Sequence, residues 1–275
     1  ANQFDATVVD LNTPMKNIMD RELQNDSLFT IIGKDRVHPK TTGHFIMFHE
    51  ILSTIESPSV VAQISIDLNQ NNRIKTKNCS VNELQVSNEN IVFNCQENSL
   101  PFPFTKAFDK ALRLVPFQKK FNQEILQVIG LDKGSYDLFI QDKLINTFSA
   151  EQLNDGVNLS NEFNTPQYKQ AKDIMNLCQE YRKTGYQLRA VPFIAFKYLR
   201  EYNGPNTLKN KKIFLDNQLK KIEGQPFYNY IKKSIHEYYQ TLPRLDSLKI
   251  RLKQIEHIIY KKNKPRAMNW SIVKR

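Results

Sequence analysis

An aspartate three residues ahead of a histidine, in Gly33-Lys-Asp35-Arg-Val-His38-Pro39, is the spacing in this chain best suited to acid–base chemistry. On a tight turn leading into a helix, such a pair brings carboxylate and imidazole into hydrogen-bond contact. The carboxylate accepts from Nδ1–H, fixes the tautomer and stabilises an imidazolium, which leaves Nε2 free to take a proton from a serine hydroxyl. Taken alone the spacing is common. Its plain alternatives are a histidine at a helix start and a turn aspartate that accepts from backbone N–H groups.

The residues around the pair set limits on this chemistry. Pro39 suits the first turn of the helix expected over Lys40-Thr-Thr-Gly43-His44-Phe-Ile-Met-Phe48, because its missing N–H costs nothing there. Lys34 and Arg36 flank the motif and are placed to meet an anionic substrate, although solvated turn charges are the simpler reading. His44 and His49 are five apart and do not share a helix face as metal ligands must, so both are read as structural. His236 and His257 stand alone in a basic region and read as solvated, and Asp10 reads as a loop cap. Cys79, Cys95 and Cys178 share no metal-ligand spacing; a Cys79–Cys95 disulfide is open to the sequence, with two core thiols the preferred reading.

Three zones surround these residues. Residues 1–57 alternate strand, loop and helix signals, with 4–11 (Phe-Asp-Ala-Thr-Val-Val-Asp-Leu) reading as a buried strand. Residues 58–164 carry short alternating runs such as Val60 to Leu68 and Asn90 to Cys95, separated by Asn-rich turns, and a closing hairpin over 134–148. Residues 165–275 open on Thr165-Pro166, a helix start, and continue as amphipathic helices broken at Gly204-Pro205, Gly224 and Pro243. The fold class expected is therefore a mixed α+β chain with a small β-rich module followed by a helical basic region. No apolar run approaches the ~20 residues of a membrane-spanning helix, and mean hydropathy is −0.53. The chain opens at Ala1 without Met or a leader-like segment, and a strand signal that close to the start suggests that the biological N-terminus lies further upstream.

The longer pattern resembles a known family. Asp35-Arg-Val-His38-Pro39, the following helix with Gly43-His44, and the preceding Val9-Asp10-Leu11 are similar to the last conserved block of the SGNH/GDSL hydrolases. Leu100-Pro101 with Phe102-Pro-Phe104, the Leu131-Asp-Lys-Gly-Ser-Tyr136 turn, and Phe148 to Leu153 through Gly156 to Leu159 resemble the C-terminal extension of some bacterial members. The likeness spans roughly residues 4–175 and is strongest over 33–48. It implies that 1–57 ends an α/β/α domain, and that His38 is the general base and Asp35 its orienting partner in a Ser-His-Asp triad for ester hydrolysis. It implies no metal or organic cofactor, an ester substrate such as an acylated carbohydrate, and an exported protein.

Half of that apparatus is missing. No Gly-Asp-Ser block is present; Asn25-Asp26-Ser27-Leu28 and Leu245-Asp246-Ser247-Leu248 echo it without the glycine. The oxyanion-hole glycine and the Gly-x-Asn-Asp block are missing too. The expectation is a C-terminal portion of an SGNH/GDSL-type hydrolase, inactive by itself, whose nucleophile comes from an upstream segment or a companion chain. A reading of a different class is a non-catalytic protein that recognises a polysaccharide or anionic polymer.

Charge is uneven: residues 180–275 hold 22 Lys/Arg against 7 Asp/Glu, while 1–179 hold 17 against 21. Lysine pairs there alternate with Tyr228, Tyr230, Tyr238, Tyr239, Tyr260 and Trp270, a composition that could serve single-stranded nucleic acid. With no helix-turn-helix, zinc or RNA-sheet signature beside them, solvated lysines over inward-packed aromatics are the reading adopted, and nucleic acid is not expected as a partner.

Overall fold

Period-two runs in the middle of the chain become strands, and the parity of each run decides what is buried. The computed structural model describes residues 2–33, 35 and 37–275. In chain order these residues form α1 (Asn12–Leu23), α2 (Thr41–Thr54), β1 (Val60–Asp67), β2 (Arg73–Lys77), β3 (Cys79–Val86) and β4 (Asn90–Glu97). There follow α3 (Asp109–Leu114), α4 (Phe117–Phe121), β5 (Gln123–Ile129), β6 (Ser135–Ile140), β7 (Lys143–Ser149), α5 (Ala150–Asp155) and β8 (Val157–Asn158). The last elements are α6 (Pro166–Leu188), α7 (Ala190–Lys197), α8 (Leu208–Lys221), α9 (Tyr228–Thr241), α10 (Leu245–Lys262) and β9 (Met268–Lys274). The class is α+β, as expected. Two compact units result: Ala1–Lys172 with Asn263–Arg275, and Asp173–Lys262.

The first unit contains two sheets. One runs β2-β1-β5-β8, with β1 and β5 parallel; the other runs β3-β4-β9-β6-β7 and is antiparallel throughout. Ile64 and Ile66 of β1, Leu126 and Val128 of β5, Ile91 and Phe93 of β4, and Leu138 and Ile140 of β6 share one core. Asn71 and Asn72 turn the β1–β2 connection, and Gln141 and Asp142 turn β6 into β7, all four at positive φ. The β6–β7 turn is a two-residue hairpin loop of the kind whose twist matches its strands.

One strand lies inside the stretch read as helical. Met268, Trp270 and Ile272 point inward while Asn269 is exposed, and β9 pairs on both edges with β4 and β6 at the centre of its sheet. Trp270, read as part of a basic and aromatic tail, is instead 1% exposed and stacks on Phe93 with ring centroids 5.7 Å apart.

Residues 4–11 are not a strand. Asn2–Phe4 is a 3-10 turn, 6–11 have no regular structure, and Val8 is 66% exposed. Among the described residues no strand runs alongside to pair this backbone or cover its apolar side, so a strand there has nothing to stabilise it. Asp10 caps α1, its Oδ1 accepting from the N–H groups of Asn12 and Thr13 at 3.0 Å each. The Thr13 bond is the main cause of its lowered pKa.

A second core holds α1 to α4. Phe45 of α2 packs among Phe117, Phe108, Phe48 and Phe102, with the Phe117 centroid 5.0 Å away. This phenylalanine cluster anchors α2, and with it the turn that precedes the helix.

The second unit is helical, with Ile194, Leu215, Ile231, Ile235 and Tyr238 as its buried core. Tyr238 packs inward, whereas Tyr230 and Tyr260 are exposed. His236 and His257 are exposed on α9 and α10. No helix among the described residues is long and apolar enough to cross a membrane.

Candidate active site

The turn that carries Asp35 and His38 is closed at both ends. Ile32 and Pro39 form an antiparallel bridge, and the Gly33 N–H donates to the His38 carbonyl at 2.8 Å. A Cβ on Gly33 would lie 3.0 Å from that carbonyl and 3.2 Å from Asp35 Oδ1. On Gly43 it would lie 2.6 Å from the Ile31 carbonyl oxygen and 2.9 Å from Pro39 Cβ. Both glycines are therefore needed for the turn to lie this close to the start of α2. Pro39 sits one residue before the helix N-cap Lys40 rather than in the first turn, and the bridge to Ile32 holds it there.

Within the turn the Asp35 carboxylate is held at three points. Oδ1 accepts from the backbone N–H of Val37 at 3.1 Å and of His38 at 3.0 Å, and Oδ2 lies 2.9 Å from His38 Nδ1. The His38 N–H is the largest cause holding the carboxyl well below the usual carboxylate range, followed by the Val37 N–H and the imidazole. An ionised carboxylate only accepts, so His38 Nδ1 must carry the proton and the lone pair of the neutral ring falls on Nε2. That is the tautomer a general base needs. Both side chains are open to solvent, His38 77% and Asp35 50% exposed. Lys34 and Arg36, which flank the motif, lie outside the described residues.

No serine completes the constellation among the described residues. Ser27 is exposed, and no hydrogen bond joins it to His38. Ser247 lies in the other unit on α10, its hydroxyl donating to the Arg244 carbonyl at 2.9 Å. His44 is exposed on α2. His49 is buried, its Nδ1 2.7 Å from Glu50 Oε1 and its ring edge-on to Phe121, a packing role. Among the described residues no group of three or more His, Cys, Asp or Glu is placed to hold a metal ion.

Sequence reasoning missed a second pair of acids. Glu97 follows the inward parity of Ile91, Phe93 and Cys95 on β4, and Glu124 that of Leu126 and Val128 on β5, which leaves them 3% and 1% exposed. Burial pushes both carboxyls up, Glu97 further through the charge of Glu124, and Glu124 to about 7. Apart from the Gln167 amide that approaches Glu97, no donor among the described residues reaches them, so the pair resists giving up its protons, Glu97 the more strongly. The parity of the two strands was the signal available in the sequence. Nearby, Cys79 and Cys95 are free thiols, and the Cys79 Sγ–H donates to the Gln63 carbonyl at 3.3 Å; the neighbouring Cys95 thiol brings Cys79 down to about 7, while Cys79 and burial push Cys95 up.

No protein-family model and no curated protein matches the chain. Among solved structures it is similar to a gut microbial diltiazem-metabolizing enzyme, at 26% identity and a TM-score of 0.80 over 96% of this chain. The match takes in 61% of that enzyme, so over nearly its whole length the chain has the fold of part of an enzyme.

Proposed function

We propose that this chain supplies the histidine and aspartate of an SGNH/GDSL-type ester hydrolase whose nucleophilic serine lies outside the residues given. The observation that carries the reading is the Asp35–His38 geometry: a carboxylate fixed by two backbone amides, an imidazole bonded to it through Nδ1, and Nε2 turned to solvent with no serine bonded to it among the described residues. Acyl transfer to water needs this arrangement. The serine hydroxyl adds to the ester carbonyl as Nε2 takes its proton, and the imidazolium then gives that proton to the departing alcohol. Water hydrolyses the acyl-enzyme by the same steps, with Asp35 holding the ring throughout. Similarity to a drug-metabolizing enzyme longer than this chain supports the reading. The acylated end of a carbohydrate remains the substrate class suggested by the family resemblance.

The test is hydrolysis of 4-nitrophenyl acetate by natively produced protein together with whatever polypeptide accompanies it. His38→Ala is expected to lower turnover roughly 10³- to 10⁴-fold while leaving the folded structure intact. Unchanged turnover in that variant overturns the proposal. So does polymer binding, steeply weakened by salt, from material without any esterase activity.

A further inference from the structure

Within Asp173–Lys262, the end of α6, the start of α7 and the middle of α9 leave a cleft of about 200 Å³. Small residues make the space: Ala190 and Ser234, both buried, stand where larger side chains would close the gap between helices. Around them the lining is aromatic and cationic. Phe193 and Tyr230 meet edge to face at 6.0 Å, and the Arg189 guanidinium lies 5.5 Å from the centre of the Tyr186 ring. Tyr186 and Tyr230 are each 57% exposed, so both rings keep surface that a ligand can cover.

The charges in the cleft do not cancel. Lys233 pairs with Glu237 at 3.7 Å, whereas Arg189 has no carboxylate partner among the described residues. One positive charge is therefore left over, in a unit with 18 Lys/Arg against 8 Asp/Glu. A guanidinium seated beside an aromatic ring offers a planar fork of donors that fits a carboxylate through two parallel bonds. The volume is that of about seven waters, room for one ring and a small polar group. A phosphate dianion would need a second unpaired cation and would gain nothing from the three rings.

We infer that this cleft is a binding site for an aromatic monocarboxylate, its carboxylate on Arg189 and its ring against Tyr186, Phe193 and Tyr230. The inference is independent of the ester-hydrolase reading, since it uses none of the same residues.

A ¹H–¹⁵N NMR titration of the intact chain with benzoate tests it, run beside cyclohexanecarboxylate and inorganic phosphate at constant ionic strength. Saturable shifts are expected at the amides of residues 186–193 and 230–237, with a Kd on the order of 1 mM and weaker binding of the other two anions. Arg189→Gln is expected to weaken benzoate about tenfold. Ser234→Leu, which fills the cleft without changing its charge, is expected to abolish binding; Tyr186→Ala, at an exposed position, gives the same direction of effect should Ser234→Leu fail to fold. Three results overturn the inference: no saturable shift up to about 20 mM, phosphate or cyclohexanecarboxylate binding as well as benzoate, or Arg189→Gln binding unchanged.

Discussion

Two carboxylate-bearing pairs in the same unit show how surroundings divide one chemistry into two roles. Asp35 sits on an exposed turn, receives two backbone N–H groups and an imidazole, and is held ionised well below the usual range. Glu97 and Glu124 sit inside the sandwich with almost no donors and are pushed upward until they keep a proton. At neutral pH the first carboxylate is a fixed negative charge that can steady a cation beside it. The second pair resists ionisation, and its proton is part of the packing. Only the first stands beside an exposed imidazole, and the proposed turnover rests on that arrangement.

The comparison predicts a double dissociation. The largest effect falls on activity: His38→Ala is expected to remove roughly 10³-fold or more of turnover in the complete enzyme while leaving the stability slope produced by Glu97 and Glu124 unchanged, checked by ester hydrolysis and thermal melts on the same samples. Next is the buried pair. A carboxyl whose folded-state pKa is raised contributes stability that is fully present below its unfolded value of 4.5 and lost as pH rises through the folded value, about 7 for Glu124. Wild-type protein is therefore expected to lose on the order of 3 kcal/mol between pH 4 and pH 8 through this residue. Glu124→Gln, which mimics the protonated form, flattens that slope and melts above wild type at pH 8. Urea unfolding at the two pH values reads the difference, and equal slopes in both proteins would break the comparison.

Two smaller effects sharpen it. Asp35→Asn is expected to cost less than His38→Ala but up to about 10⁴-fold in turnover, because the ring keeps its position while the tautomer and the charge beside it are lost. The variant should show no loss of the Glu97–Glu124 pH slope. Gln167→Met removes the one amide that approaches Glu97 and lowers its pKa, so the stability decline should move to higher pH. The expected move is less than about one pH unit, visible as a displaced midpoint in the same urea series.

The Asp35–His38 turn is legible in the sequence because its physics is local. Asp35, His38 and the two glycines act within a dozen residues, and the three-residue spacing is itself the geometry. The hairpin over 134–148 was legible for the same reason, its turn set by two adjacent residues. Two features depended on distant partners instead. The apolar run at 4–11 carries a strand's composition, but no strand among the described residues lies beside it. β9 carries a clear in–out alternation over Met268, Asn269, Trp270, Ser271 and Ile272, yet its place between β4 and β6 joins residues some 130 to 180 positions apart. The buried acids were hidden in the same way: parity points Glu97 and Glu124 inward, but only the assembled sheets put each beside the other.

Fluorophosphonate labelling of the natively produced, complete protein, read on a denaturing gel and mapped by mass spectrometry, tests the central claim most directly. The account predicts a single labelled serine outside the 275 residues given, on the same or a companion polypeptide, with labelling lost in His38→Ala and slowed in Asp35→Asn. A serine labelled at the wild-type rate in His38→Ala, or no labelled serine in folded wild-type material, would contradict it.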